Sequence, residues 1–106
     1  MRGEVVRLCA VSEVEPNTSR RFDVGGHRIA LVRVKDDFYA IGDRCSHANY
    51  SLAEGEIYPD TLEVECWKHG SSFSLVTGKP QSFPATKPVP VYDVVIDGDD
   101  VMVKIG

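Results

Sequence analysis

The chain has 106 residues, 42% of them hydrophobic and 26% charged, and 12 Lys and Arg against 16 Asp and Glu leave a formal net charge of -4. A chain of this length forms one domain that buries roughly two-thirds of the surface its unfolded form exposes, enough for a modest core. The acidic balance disfavours nucleic acid and anionic membrane as partners. The longest apolar runs, such as Ile29-Ala30-Leu31-Val32, fall far short of the ~20 residues a membrane-spanning helix needs. Met1-Arg2-Gly3-Glu4-Val5 lacks the apolar stretch of a secretory signal, so the expected compartment is the cytoplasm.

Strand signals recur along the whole chain, and no helical periodicity outlasts a turn or two. Val5-Val6-Arg7-Leu8-Cys9 reads as a strand, with Cys9 a small buried hydrophobe. Arg21-Phe22-Asp23-Val24 leads through Gly25-Gly26 into His27-Arg28-Ile29-Ala30-Leu31-Val32-Arg33-Val34, a hairpin with a glycine turn. His27, following that turn, reads as a solvated histidine outside any site. Lys35-Asp36-Asp37 then turns the chain into the strand Phe38-Tyr39-Ala40-Ile41. The stretch from Ala48 to Asp60 shows no strand pattern, and Gly55 within it suggests a turn with positive φ, as do Gly70 and Gly78 further on.

Leu62-Glu63-Val64-Glu65-Cys66 alternates apolar and acidic residues, the pattern of a half-buried strand, and delivers Cys66 at its end. Ser72-Phe73-Ser74-Leu75 alternates as well and runs into a turn at Val76-Thr77-Gly78-Lys79. Pro84, Pro88 and Pro90 stiffen an irregular segment. Val91 to Ile96 and Val101 to Ile105 flank Asp97-Gly98-Asp99-Asp100, the clearest hairpin signal in the chain. Many short strands with regular turns predict an all-β fold, an antiparallel sandwich or partly open barrel, with residues 1–106 as one domain.

Two clusters fall outside the strand interiors: Cys45-Ser46-His47 and Cys66-Trp67-Lys68-His69. Each pairs a thiol with an imidazole, and each follows a strand, so both are expected on loops at one end of the scaffold. The set of two sulfurs and two nitrogens suits a tetrahedral zinc or a [2Fe–2S] cluster with one iron on cysteines and the other on histidines. A two-Cys, two-His zinc finger brings its like ligands in pairs, C-x₂₋₄-C and then H-x₃₋₅-H. Here the pairs are mixed, which favours the iron–sulfur cluster. The third cysteine, Cys9, is left over, so no disulfide framework follows.

C-x-H followed by C-x-x-H and then Gly70 resembles the Rieske iron–sulfur signature, and the resemblance covers essentially the whole chain. It implies that Cys45 and Cys66 bind an inner iron and that His47 and His69 bind an outer iron with their rings near the surface. It also implies a cluster-binding portion of about 43–90, in which the stretch around Pro84 to Pro88 covers a third side of the cluster. Membrane-bound members carry an extra cysteine in each ligand loop. This chain has Tyr50 and Ser51 after His47, and Trp67 and Lys68 in the second pair, which points to a soluble carrier in a reducing compartment.

The function so implied is that of a soluble Rieske-type [2Fe–2S] ferredoxin, a monomer passing single electrons from a flavin-dependent ferredoxin reductase to a terminal oxygenase of the ring-hydroxylating kind. Such a chain is a carrier with no catalytic residues of its own. With two of its three histidines in the clusters, it has no 2-His-1-carboxylate set for a second, mononuclear iron. The small subunit of an assimilatory nitrite reductase, which shares the fold, is the alternative, and a structural zinc module for protein binding is a third. Two thiolates and two neutral imidazoles leave the oxidised cluster neutral, whereas four thiolates leave it at -2. That difference raises the potential from around −400 mV to about −150 mV or higher. High-potential members read H-G-S-x-Y after the second Cys, and this chain has His69-Gly70-Ser71-Ser72-Phe73. The tyrosine hydroxyl is missing, which implies a low-to-intermediate potential.

Overall fold

The computed structural model describes residues 4–44, 51–66, 71–81 and 88–105. Among the sequence readings, those on Cys45, His47, Trp67, Lys68, His69, Gly70 and Pro84 lie outside the described residues. Among the described residues there are ten strands: β1 (Glu4–Ala10), β2 (Thr18–Val24), β3 (His27–Val34), β4 (Asp37–Gly42), β5 (Glu56–Tyr58), β6 (Glu63–Glu65), β7 (Ser72–Ser74), β8 (Val91–Tyr92), β9 (Val94–Asp97) and β10 (Asp100–Ile105). They form three antiparallel sheets in the orders β1-β10-β9, β2-β3-β4-β8 and β5-β6-β7. The expected all-β antiparallel architecture is therefore present. The described residues contain no helix long and apolar enough to cross a membrane.

The β2-β3-β4-β8 sheet is the middle layer, and the sequence of β3 shows why. Successive strand residues point to opposite faces, and Ile29 and Leu31 pack with Cys9, Val14, Ala40, Val101, Val103 and Ile105 on one side. Ala30, Val32 and Val34 pack on the other side with Ile41, Leu52, Val64, Cys66, Phe73 and Leu75. A strand buried on both faces needs apolar residues at every position, which is what Ile29-Ala30-Leu31-Val32 supplies. One face thus carries the sheet of the terminal strands and the other carries the small β5-β6-β7 sheet. Cys9 is buried in the first of these cores, and burial pushes its thiol pKa up, so it is a packing residue.

The turns follow the sequence closely. Gly25 and Gly26 take φ of 53° and 80°, the left-handed pair of a two-residue turn between β2 and β3. Gly78 has φ 76°, as expected. Gly55 does not: its φ is -84°, and its reason for being glycine is space. A Cβ there would stand 1.7 Å from the carbonyl oxygen of Glu65.

Three further expectations change. The stretch from Ala48 to Asp60 does contain regular structure among its described residues, a 3-10 turn at Leu52–Glu54 and the strand β5. Three residues are too few for alternation to be read from sequence. The run Val91 to Ile96 is two strands in two sheets: Tyr92 pairs with Ala40, Val94 pairs with Val103, and Asp93 is the point of transfer. His27 is half-buried, with Nδ1 3.1 Å from the Tyr92 hydroxyl and the two rings edge-to-face, so it is a packed residue and not a solvated one.

Candidate metal centre

Cys66 is the described member of the predicted ligand set. It is fully buried at the end of β6 and belongs to the apolar cluster of Ile41, Leu52, Val64 and Phe73. Its amide donates to the carbonyl of Ser71 at 2.6 Å, so the segment between them leaves and rejoins the β6-β7 pair at one rung. Among the described residues no three Cys, His, Asp or Glu side chains converge as a metal site, the other three predicted ligands being outside them.

The first ligand segment is closed at its base in the same way. Arg44 and Ser51 form an antiparallel bridge. Beneath it Asp43 is fully buried: its Oδ1 accepts from Ser51 Oγ at 2.7 Å and from the Ala53 amide at 2.9 Å, and its backbone oxygen accepts from the Leu52 amide at 2.5 Å. The other carboxylate oxygen faces Arg28 Nη2 at 3.4 Å and Arg21 Nε at 3.8 Å. A buried carboxylate persists only when paired and hydrogen-bonded, and Asp43 is both. The Nε of Arg28 is buried with no acceptor among the described residues.

Register brings the two bases together. Glu56 pairs with Glu65, which sets Gly55 across from Cys66, and the close approach of Gly55 to the Glu65 carbonyl draws the 3-10 turn against the end of β6. The turn is pinned on its other side by Ser19 Oγ, which donates to the Ala53 carbonyl at 2.6 Å. The proline segment reaches the same place. Its start is tied to β7 through the Gln81 amide on the Ser72 carbonyl at 2.6 Å, and its end through the Gly42 amide on the Pro90 carbonyl at 2.8 Å. The anchors of all three segments therefore surround one end of the small sheet, as the two-loop reading expects.

Residues 51–66 carry Glu54, Glu56, Asp60, Glu63 and Glu65 and no Lys or Arg, which places an acidic surface on the small sheet. Glu56 and Glu65 stand directly opposite, a repulsive pair. The Tyr58 hydroxyl donates to Glu65, and that bond, with desolvation next, pushes the Tyr58 pKa up to about 12.

The donor chemistry fits an iron–sulfur cluster: two thiols and two imidazoles in mixed pairs, with the described thiol in a dry, apolar setting that suits a sulfur ligand. Bound there, a [2Fe–2S] cluster accepts and releases one electron at a time. Cys45, His47, Cys66 and His69 would hold it, and the apolar cluster around Cys66 would exclude water on that side.

Sequence reasoning singled out the Cys45–His47 and Cys66–His69 motifs and missed the residues at their bases. Asp43, Ser51, Arg28 and Gly55 matter through partners distant in sequence. One local signal was available for Asp43, an acidic residue two positions after the apolar run Phe38 to Ile41, where Asp side chains favour bonds to nearby backbone.

Comparison with known proteins agrees with this geometry. The Rieske [2Fe-2S] domain profile matches residues 4–93. The 3-phenylpropionate/cinnamic acid dioxygenase ferredoxin subunit of Escherichia coli K12 is 42% identical over 100 residues, covering 94% of this chain and 92% of the relative. The ferredoxin of carbazole 1,9a-dioxygenase from Nocardioides aromaticivorans IC177 superposes with a TM-score of 0.90 at 38% identity, covering 93% of this chain and 95% of that one. A ferredoxin in the complex of reduced oxygenase and oxidized ferredoxin in carbazole 1,9a-dioxygenase superposes at 0.85 with 39% identity, covering 93% and 91%. The chain belongs to the Rieske [2Fe-2S] domain family, and its cofactor is one [2Fe–2S] cluster.

Proposed function

We propose that this chain is the ferredoxin component of a ring-hydroxylating dioxygenase system, passing single electrons from a flavin-dependent reductase to a terminal oxygenase and carrying out no substrate chemistry itself. The observation that carries this reading is the arrangement of anchors: Cys66 is buried at the end of β6, and the rung Arg44–Ser51 is held against that same strand end through Gly55. That arrangement supports Cys45 and Cys66 on the inner iron and His47 and His69 on the outer iron. Residues 1–106 then form one domain with its cluster-binding portion at about 43–90, a monomer working in the cytoplasm. A relative of 42% identity named as a ferredoxin subunit, and a solved complex of such a ferredoxin with its oxygenase, support the partner assignment.

The test is an electron paramagnetic resonance spectrum of the dithionite-reduced protein, together with iron and inorganic sulfide content. Mixed nitrogen and sulfur ligation gives an average g value below that of an all-thiolate cluster. Cys45→Ser, Cys66→Ser, His47→Ala and His69→Ala each abolish that signal. Purified protein holding zinc and no sulfide would overturn the reading, as would failure to support turnover by a reductase and oxygenase pair.

A further inference from the structure

We propose that Asp43 is a positioning residue for the cluster, fixing the first ligand segment by tying the residue two before Cys45 to the three residues that follow that segment. The proposal rests on the assignment of Cys45 and His47 as ligands. Of the hydrogen bonds Asp43 accepts, those from Ser51 Oγ, the Leu52 amide and the Ala53 amide all land on the far side of the segment. Its own amide donates to the Arg28 carbonyl at 2.9 Å, which secures this clasp to β3 at the middle of the molecule. The Asp43 side chain thus connects a central strand, the entry of the ligand segment and its exit.

Closing the loop requires an acceptor, which Asn also supplies, so the charge of Asp43 is a separate property. Taking a carboxylate fully out of water is costly before its partners compensate. Asp43 is fully buried, and its compensation comes from Arg28 and Arg21, whose own side chains remain 36% and 44% exposed. The guanidinium groups that compensate it are only part-exposed, with the Nε of Arg28 buried, whereas the Asp43 carboxylate is fully buried, so its negative charge is the less screened and stands between the two ends of the segment, Arg44 and Ser51. Two consequences separate. The hydrogen bonds hold the ligands in place, and the charge disfavours the reduced, more negative state of the cluster.

Four variants test this. Asp43→Ala removes the side-chain bonds from Ser51 Oγ, the Ala53 amide and Arg28 Nη2, whereas Asp43→Asn keeps an acceptor and removes the charge. Ser51→Ala removes one bond from the other side, and Val103→Ala truncates a buried residue of the opposite core as a control for general destabilisation. Each is purified with its cluster, and bleaching of the visible absorbance by an iron chelator is followed at a temperature where all are folded, beside the midpoint by direct voltammetry. Asp43→Ala is expected to bleach about 10- to 100-fold faster than the parent, in the range seen when groups supporting metal ligands are lost. Ser51→Ala is intermediate, Val103→Ala bleaches at the parent rate, and Asp43→Asn retains its cluster with a more positive midpoint. Should Asp43→Ala fold too poorly to measure, Ser51→Ala and Asp43→Asn carry the same test. The proposal is overturned if Asp43→Ala and Ser51→Ala bleach no faster than Val103→Ala, or if the midpoint of Asp43→Asn does not move. A Cys45→Ser protein with a normal cluster would instead mean that the ligand assignment itself is wrong.

Discussion

Gly55→Ala should be among the most damaging single-methyl changes in this protein, although Gly55 has a backbone conformation any residue adopts. Its φ is -84° and its ψ 174°, so alanine brings no torsional penalty. The damage comes from the 1.7 Å between the new Cβ and the Glu65 carbonyl oxygen, a backbone atom that cannot rotate away. Real Cβ atoms come no closer than 3.0 Å, so the chains must part by at least 1.3 Å at the β5–β6 junction. A hydrogen bond of normal length stretched that far is lost. β5 pairs with β6 through only three residues, and losing most of that pairing together with the packing of Leu52 costs about 3 kcal/mol. Unfolding of an iron–sulfur protein is irreversible once the cluster leaves, so the measurable quantity is the rate of heat bleaching. If the whole cost falls on the native state, that rate rises about a hundredfold. Gly26→Ala is the comparison: at φ 80° with no atom within 4 Å of the new Cβ, it suffers only torsional strain, worth about 1–2 kcal/mol. A Gly55→Ala protein that bleaches no faster than Gly26→Ala would refute the close-approach argument.

Phe73→Tyr adds a hydroxyl to a fully buried residue that shares an apolar cluster with Cys66; it raises the midpoint by roughly 60 mV if a new bond to the cluster favours the reduced state by the equivalent of a tenfold equilibrium shift. An unchanged or lowered voltammetric midpoint counts against it. Tyr58 is held neutral by its bond to Glu65, with a pKa of about 12 in the fold and near 10 unfolded. Its contribution to stability is therefore intact below about pH 10 and disappears as pH rises through about 12. In urea unfolding across pH, the stability gap between the parent and Tyr58→Phe should close over that window and stay constant below it. Glu56→Gln with Glu63→Gln should slow electron delivery to an oxygenase at low ionic strength and flatten the salt dependence of the rate in stopped-flow measurements. Equal salt dependence in both proteins would mean the acidic face plays no part in docking.

The long strands and their hairpins were legible because their signals are local. Gly25-Gly26 marks its own turn, Leu62 to Cys66 alternates over its own length, and the unbroken apolar run of β3 announces a strand covered on both sides. The cysteine–histidine motifs stood out for the same reason, each being a few residues long. What sequence could not supply was anything defined by a partner. Val91 to Ile96 reads as one strand, and only the competing edges of β4 and β10 divide it at Asp93. Gly55 reads as a turn glycine until the register of β5 on β6 sets it against Glu65. His27 reads as solvated until the chain returns with Tyr92 to cover it. Asp43 shows the same limit at the site, since its importance lies in bonds to Ser51, Ala53 and Arg28 that no local pattern announces.

The pairing of β1 with β10 has a consequence for how the molecule is made. Glu4 pairs with Ile105, and β10 is the only strand beside β1 among the described residues, so β1 has no strand to pair with until β10, about ninety residues later, has been translated. The middle sheet and the small sheet, by contrast, are complete once β8 has emerged. Biosynthesis thus exposes a nascent state in which the middle and small sheets can already take shape while β1 still waits for its mate.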